Sequence, residues 1–247
     1  MNRVTFSIVS LVFLIPGAYA ETKINVWTYY PSPPFSVPKD GLSLTQILCK
    51  ELTNKSNGKW VFEPKYLPRK RINHNLAQGK SGIVLWASPV WFGDKEESKY
   101  DWTERVVWGQ NEIVSLKGSS IEYTGPESMK GKRFGGVFGH YYKDIDEYVE
   151  SKQITRNDTS SFQQNFDKLI NERLDVIVIP RGELFHIMNK KGAKKDIYIS
   201  KKPHQKYQRK ILVTKDLVDV RDYINSQISK GGNQNYENLL KKYGLSK

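Results

Sequence analysis

Two stretches of the 247-residue chain carry residues whose types and spacing suit ligand chemistry. One is Trp27-Thr-Tyr-Tyr-Pro-Ser-Pro-Pro-Phe35, an aromatic strand end running into a proline-rich loop. The other is Arg133-Phe-Gly-Gly-Val-Phe-Gly-His-Tyr-Tyr142, where Gly135, Gly136 and Gly139 permit a sharp turn and close backbone approach. A helix entered near Asp144 would aim its first free N–H groups the same way, an arrangement that suits an anion. The two stretches read as opposite walls of a ligand cleft, although three glycines are equally compatible with a plain turn. Their order departs from the dinucleotide fingerprint, so that chemistry is excluded.

Individual side chains follow from these walls. Tyr30, Phe35, Trp86 and Trp91 lie at or just beyond strand ends, where flat rings can sandwich a ligand or bind a cation, or can simply pack in the core. Ser88 is a polar candidate by position. Gly139, His140 and Tyr141 form the glycine turn and its exit. Arg181 stands just past a strand end, where its guanidinium can hold a carboxylate or phosphate in bidentate fashion. Such a bond contributes about 1.5–3 kcal/mol, against about 0.3–1 kcal/mol for a helix terminus. The alternative partners for Arg181 are Glu183 and Asp175. Arg71 sits in a helix beside Arg69 and Lys70, which read as solvated, and Arg71 can be read the same way. The four histidines, His74, His140, His186 and His204, are dispersed, so no metal is expected. Gly79-Lys80-Ser81 lacks the first glycine of a phosphate loop, His74 standing in its place, and no cofactor is expected.

The elements that position these residues alternate. Strands are expected at 23–29, 60–66, 83–86 and 111–116, with helices at 43–52 and 69–78, a β-α-β-α-β order that argues for an α/β lobe. Ser43 and Gln46 have capping-box spacing, as do Ser160 and Gln163. A second series follows: a strand at 134–138, a helix at 144–151, a short strand near Ile154, and a helix with Phe162, Phe166, Leu169 and Ile170 inward. A strand at 175–179, a helix carrying Leu184, Ile187 and Met188, and a brief strand at 197–200 complete it. A strand at 209–214 and two helices close the chain. Two similar halves facing one another make a cleft at their strands' carboxyl ends.

Composition bounds the rest. The chain carries 39 Lys and Arg against 26 Asp and Glu, a formal charge of +13. The basic residues are scattered, which reads as a solvated basic surface rather than a nucleic-acid site. A single cysteine, Cys49, excludes a disulfide framework and reads as a buried thiol. Residues 1–20 read as an export signal cleaved after Ala20, and no other apolar run is long enough to span a bilayer. The expected organisation is the signal peptide (1–20), lobe 1 (21–116 plus 207–247) and lobe 2 (117–206).

The order of features resembles the family 3 extracellular solute-binding proteins of ABC importers. The likeness rests on Tyr30-Pro-Ser-Pro-Pro-Phe35 with Asp40-Gly41-Leu42, on Leu67-Pro-Arg-Lys-Arg-Ile72 with Gly79, and on Tyr100-Asp-Trp-Thr. It continues through Met129-Lys-Gly-Lys-Arg-Phe-Gly-Gly-Val137 with Gly139 and Leu169-Ile-Asn-Glu-Arg-Leu-Asp-Val176. The resemblance implies a two-lobe type II periplasmic-binding-protein fold, each lobe a mixed, mostly parallel sheet flanked by helices. It also implies a periplasmic, monomeric protein that is not membrane-embedded and delivers a small-molecule solute to an inner-membrane ABC permease. Arg71 matches an arginine frequent in the family's second helix. Residues 88–100 lack the arginine that holds a ligand carboxylate in amino-acid binders. Pro180-Arg181 stands where those binders place an aspartate for the amino group, and Gly82 replaces another family aspartate. The implied solute is therefore polar or anionic and not a standard α-amino acid. The alternative on this scaffold is an exported enzyme of the cyclohexadienyl or arogenate dehydratase kind, with Glu183 or His140 as proton donor. A partner for a membrane sensor is a third reading.

Overall fold

The computed structural model describes residues 21–36, 43–192, 196–229 and 234–246. The expected export signal and the turn at Asp40-Gly41 lie outside them.

The first half opens with β1 (Thr22–Thr28), α1 (Leu44–Lys55), β2 (Trp60–Tyr66), α2 (Arg69–Ala77) and β3 (Ile83–Ala87). The capping box forms as its spacing predicts: Ser43 accepts from the Gln46 backbone N–H, and the Gln46 side chain accepts from the Ser43 N–H. β2, β1 and β3 run parallel, and β3 is buried along its whole length, as an apolar central strand must be. Cys49 is buried in α1, and burial pushes its thiol up, which leaves it inert.

β4 (Asp101–Trp102) and the long β5 (Val107–Leu116) lead to the second half. There β6 (Arg133–Val137), α3 (Ile145–Glu150), β7 (Thr155–Thr159), α4 (Phe162–Ile170), β8 (Val176–Pro180), α5 (Arg181–Lys191) and β9 (Ile197–Ile199) repeat the plan, with β7, β6 and β8 parallel. β10 (Gln205–Val213) returns to the first half, followed by α6 (Val218–Ser229) and α7 (Gln234–Lys242). β5 and β10 cross between the halves as an antiparallel pair, residues 205–209 against 107–111. Beyond that pair, β10 continues along β3, and β5 continues along β8 and β9. The path through the strands is β2-β1-β3-β10-β5-β8-β6-β7.

Each half has its own core on both sheet faces. In the first, Leu44, Leu52, Ile224 and Leu240 fill one face, and Trp27, Ile72, Val84 and Leu212 the other. In the second, Met129, Phe134 and Val178 fill one face, and Phe166, Ile177 and Leu184 the other. Full burial of such side chains contributes about 1.5–3 kcal/mol each, and Phe185 packs against a core of each half.

Three local expectations shift. Ser161, in extended backbone, caps α4 by accepting from Gln164 N–H, while the Ser160 hydroxyl donates to the Gln164 side chain instead. Ile170 is 37% exposed at the frayed end of α4 rather than inward. β5 and β10 also start earlier than their apolar runs, because mutual pairing extends them through polar residues.

Asp94 fixes the loop that carries Trp91. Its carboxylate accepts the backbone N–H groups of Ser98, Lys99 and Tyr100 at 2.9, 2.9 and 3.0 Å and the Trp102 indole N–H at 2.8 Å. Burial works against the charge, but these bonds prevail and hold the group below its usual 3.8. An Asp94→Asn variant should lose about 1.5–3 kcal/mol in urea unfolding at pH 7. The wild-type advantage should vanish as pH falls below 3.8 through the lower folded value, because protonation removes the same bonds.

Candidate functional site

The loop after β1 and the turn after β3 face the carboxyl ends of β6 and β8 across a cleft of about 990 Å³. α4 and α5 both begin at its wall, through Ser161, Phe162, Arg181, Gly182 and Glu183, so two positive helix ends approach it.

At its centre stands Arg209 of β10, only 3% exposed. One terminal nitrogen, Nη1, donates to the Tyr30 hydroxyl and, at 3.0 Å, to the Trp86 carbonyl. The other, Nη2, donates to the Tyr207 hydroxyl at 3.1 Å. The tyrosines pass their own protons outward, Tyr30 to Tyr29 at 3.2 Å and Tyr207 to Asn111 at 3.3 Å. Four rings enclose the cation: Phe35 at 4.6 Å, Tyr30 at 4.8 Å, Tyr207 at 5.2 Å and Trp91 at 5.3 Å from its central carbon. No carboxylate within ion-pair distance faces it among the described residues, and its Nε–H has no partner there.

Trp86 supports this group from behind. Its backbone is left-handed, at φ 61°, a conformation that costs a bulky residue of order 1–3 kcal/mol. The chain is held there from both sides: the ring lies in the core with its indole N–H bonded to Thr45 at 2.7 Å, and the carbonyl meets Arg209.

Of the expected residues, Tyr30, Phe35, Trp91, Gly139, His140, Tyr141 and Arg181 line the cleft together. Trp86, Ser88 and Arg71 do not. Trp86 is fully buried, Ser88 is buried at the start of a short 3-10 turn, and Arg71 is exposed on α2. Arg69, read as solvated, reaches the lining instead and stacks 3.6 Å over Phe92 while donating to the Trp91 carbonyl.

Arg181 is not free to grip a ligand as expected. It pairs at 2.5 Å with Glu112, whose side chain is 1% exposed, and donates to the Gly244 carbonyl at 2.6 Å. Neither Glu183 nor Asp175 is its partner, the latter pairing with Arg133. The helix start near Asp144 is also closed to anions, because the N–H groups of Ile145 and Asp146 both donate to the Tyr142 carbonyl. The glycine turn itself forms. Gly139 adopts φ +76°, and a Cβ on Gly135 would meet Leu174 at 2.5 Å, so the packing requires glycine there.

Glu183 is the one carboxyl in the lining among the described residues, and it bonds Ser32 across the cleft. Burial pushes it up to about 7, opposed by the Ser32 bond. Between its ordinary 4.5 and about 7, the folded chain holds a proton that the unfolded chain has released. Folding therefore weakens as pH rises through that window. Glu183→Gln should remove this slope, so the variant's Tm should gain on wild type between pH 4.5 and 8. His140 and His204 are pushed below 6.5, chiefly by burial, and are uncharged at neutral pH.

No protein-family profile matches the chain, and no curated protein does. Its fold is similar to an ancestral arginine-binding protein bound to arginine, with TM-score 0.61 and 18% identity over 92% of this chain and 99% of that one. It is similar to the GluR0 ligand-binding core in complex with L-glutamate, with TM-score 0.64 and 10% identity over 92% and 98%. The periplasmic domain of B. pertussis BvgS matches at TM-score 0.68 and 15% identity, over 90% of this chain and 42% of that one. No helix among the described residues is long and apolar enough to cross a membrane. With two α/β halves, two strands crossing between them and a lined cleft, the chain has the two-lobe type II periplasmic-binding-protein fold.

Proposed function

We propose that this protein is a periplasmic solute-binding protein that closes its two lobes around a small anionic molecule. The observation that carries the reading is Arg209, a buried guanidinium at the cleft with no acidic partner among the described residues. Burial of an unpaired charge costs several kcal/mol. Cation–π contacts recover about 0.5–2 kcal/mol each, and the hydrogen bonds more. An anion entering between the lobes completes the balance and favours closure. Support also comes from the solved structures of similar fold, whose ligands include arginine and glutamate.

In this reading the hinge lies in the paired segments 107–111 and 205–209, and the expected lobe boundary at 116 moves back to it, because residues 112–116 pair with β8 and β9: lobe 1 comprises 21–106 plus 210–247 and lobe 2 comprises 112–204. Residues 1–20 direct export, and the protein acts as a monomer that hands its solute to an inner-membrane ABC permease. A second reading, an exported dehydratase-like enzyme, draws on Glu183, whose proton is exchangeable near neutrality inside the cleft. Turnover of prephenate or arogenate by purified protein would establish it, and binding without turnover would dismiss it.

A thermal-shift and calorimetric screen over amino acids, polyamines, dicarboxylates, phosphonates and short peptides tests the transport reading. Anionic solutes should raise Tm. Arg209→Gln should weaken the best hit by at least about tenfold, the equivalent of one charge-assisted bond, with folding verified by circular dichroism. Arg71→Gln should bind as wild type, since Arg71 lies outside the lining. Retention of full affinity by a folded Arg209→Gln protein would remove the guanidinium from the site.

A further inference from the structure

The distribution of charge and rings in the cleft narrows the solute. Arg209 spends both Nη1 hydrogens on Tyr30 and Trp86 and one Nη2 hydrogen on Tyr207, while Nε–H is unpartnered among the described residues. Nε and Nη2 share one edge of the planar fork, the edge whose spacing matches the two oxygens of a carboxylate. The surroundings of that edge are aromatic rather than polar, with Trp91 and Tyr207 edge-to-face at 4.9 Å and Tyr30 and Phe35 at 5.4 Å.

The opposite wall continues the pattern. Tyr141 is 73% exposed on the glycine turn, and Phe162 at the start of α4 meets the His140 ring at 5.5 Å. The walls offer hydroxyls and amides, from Ser32, Gln110, Asn111, Ser160 and Gln205, but one carboxyl among the described residues. That carboxyl, Glu183, is bonded to Ser32 and sheltered from water. A second deep anion grip is missing too, because Arg181 is neutralised by Glu112. Arg69, half-buried in the lining, is engaged with Asn73, the Trp91 carbonyl and the Phe92 ring.

We infer that the cleft selects a flat-bodied monocarboxylate, an aryl or heteroaryl acid. Its carboxylate pairs with the Arg209 guanidinium at the cleft wall, and its ring lies between the aromatic walls of the two lobes. This inference rests on the solute-binding reading and names the solute class for that same cleft.

Titration calorimetry with the purified wild-type chain, read alongside tryptophan fluorescence, tests it. The probes are phenylacetate, indole-3-acetate, cyclohexylacetate, phenethylamine, L-phenylalanine and L-glutamate. The two aryl acids should bind, with cyclohexylacetate at least fivefold weaker for want of a flat face and phenethylamine not binding. L-Phenylalanine should bind more weakly than phenylacetate, because its ammonium must give up water for ring faces and for a Glu183 carboxyl already bonded to Ser32. Trp91→Ala should reduce aryl-acid affinity more than cyclohexylacetate affinity, a pattern that general destabilisation would not produce.

Cyclohexylacetate equal to phenylacetate, or an amino acid tighter than both aryl acids, would overturn the class assignment and leave solute binding standing. Silence from these six probes together with a bound dicarboxylate, phosphonate or peptide in the broader screen would do the same. Silence across both panels would sink the solute-binding reading itself.

Discussion

The organising constraint in this molecule is one positive charge held away from water with no carboxylate beside it among the described residues. Arg209 is buried at the centre of the fold, and the groups around it are those that tolerate a cation without neutralising it: ring faces, hydroxyl oxygens and a backbone carbonyl. Removing any one of these worsens the solvation of the charge, so residues distant in sequence are bound to a common geometry. The left-handed backbone of Trp86 belongs to this arrangement, since its carbonyl serves the cation while its indole serves the core.

The other arginines of the cleft have different tasks. Arg181 ties β5, α5 and the C-terminal segment together through Glu112 and the Gly244 carbonyl. The N–H of Trp108 donates to the Ser246 carbonyl nearby, so the chain's last described residues are fastened to the crossing strands. Arg69 stacks on Phe92 and caps the carbonyl of Trp91, which steadies a ring of the box from outside. Of the three arginines in the lining, Arg209 alone is deeply buried and without an acidic partner among the described residues.

Much of the architecture was legible because local chemistry and tertiary structure agree. The capping box of α1, the apolar run of β3 and the parallel pattern of β6 and β8 each carry a period or cap that survives folding. The glycine turn and the aromatic loop after β1 both line the cleft, and each is marked locally by its composition. Arg209 was not identified, because in Gln205-Lys-Tyr-Gln-Arg-Lys210 it looks like any solvated position of a polar strand. What distinguishes it is long-range: Tyr30, Phe35 and Trp91 converge on it only after the strands pair. One local clue existed, since Tyr207 and Arg209 are two residues apart and share a strand face. Trp86 misled for the converse reason: its place at a strand end suggested the cleft, and a reversal of its backbone sent the ring inward. Arg181 lines the cleft, but its negative partner lies 69 residues away in sequence, beyond the reach of local pattern.

The position of Arg209 along β10 has a mechanical consequence. It is the last residue of that strand to pair with β5, and the next residue already pairs with β3. If the halves swing about this crossing, the guanidinium lies close to the axis, where displacement is least, whereas a ring such as Tyr141, on the turn after β6 and away from the crossing strands, moves with its half. The anchor then remains nearly stationary while the rim sweeps over it, a division between fulcrum and lever that is set by where one strand changes neighbours.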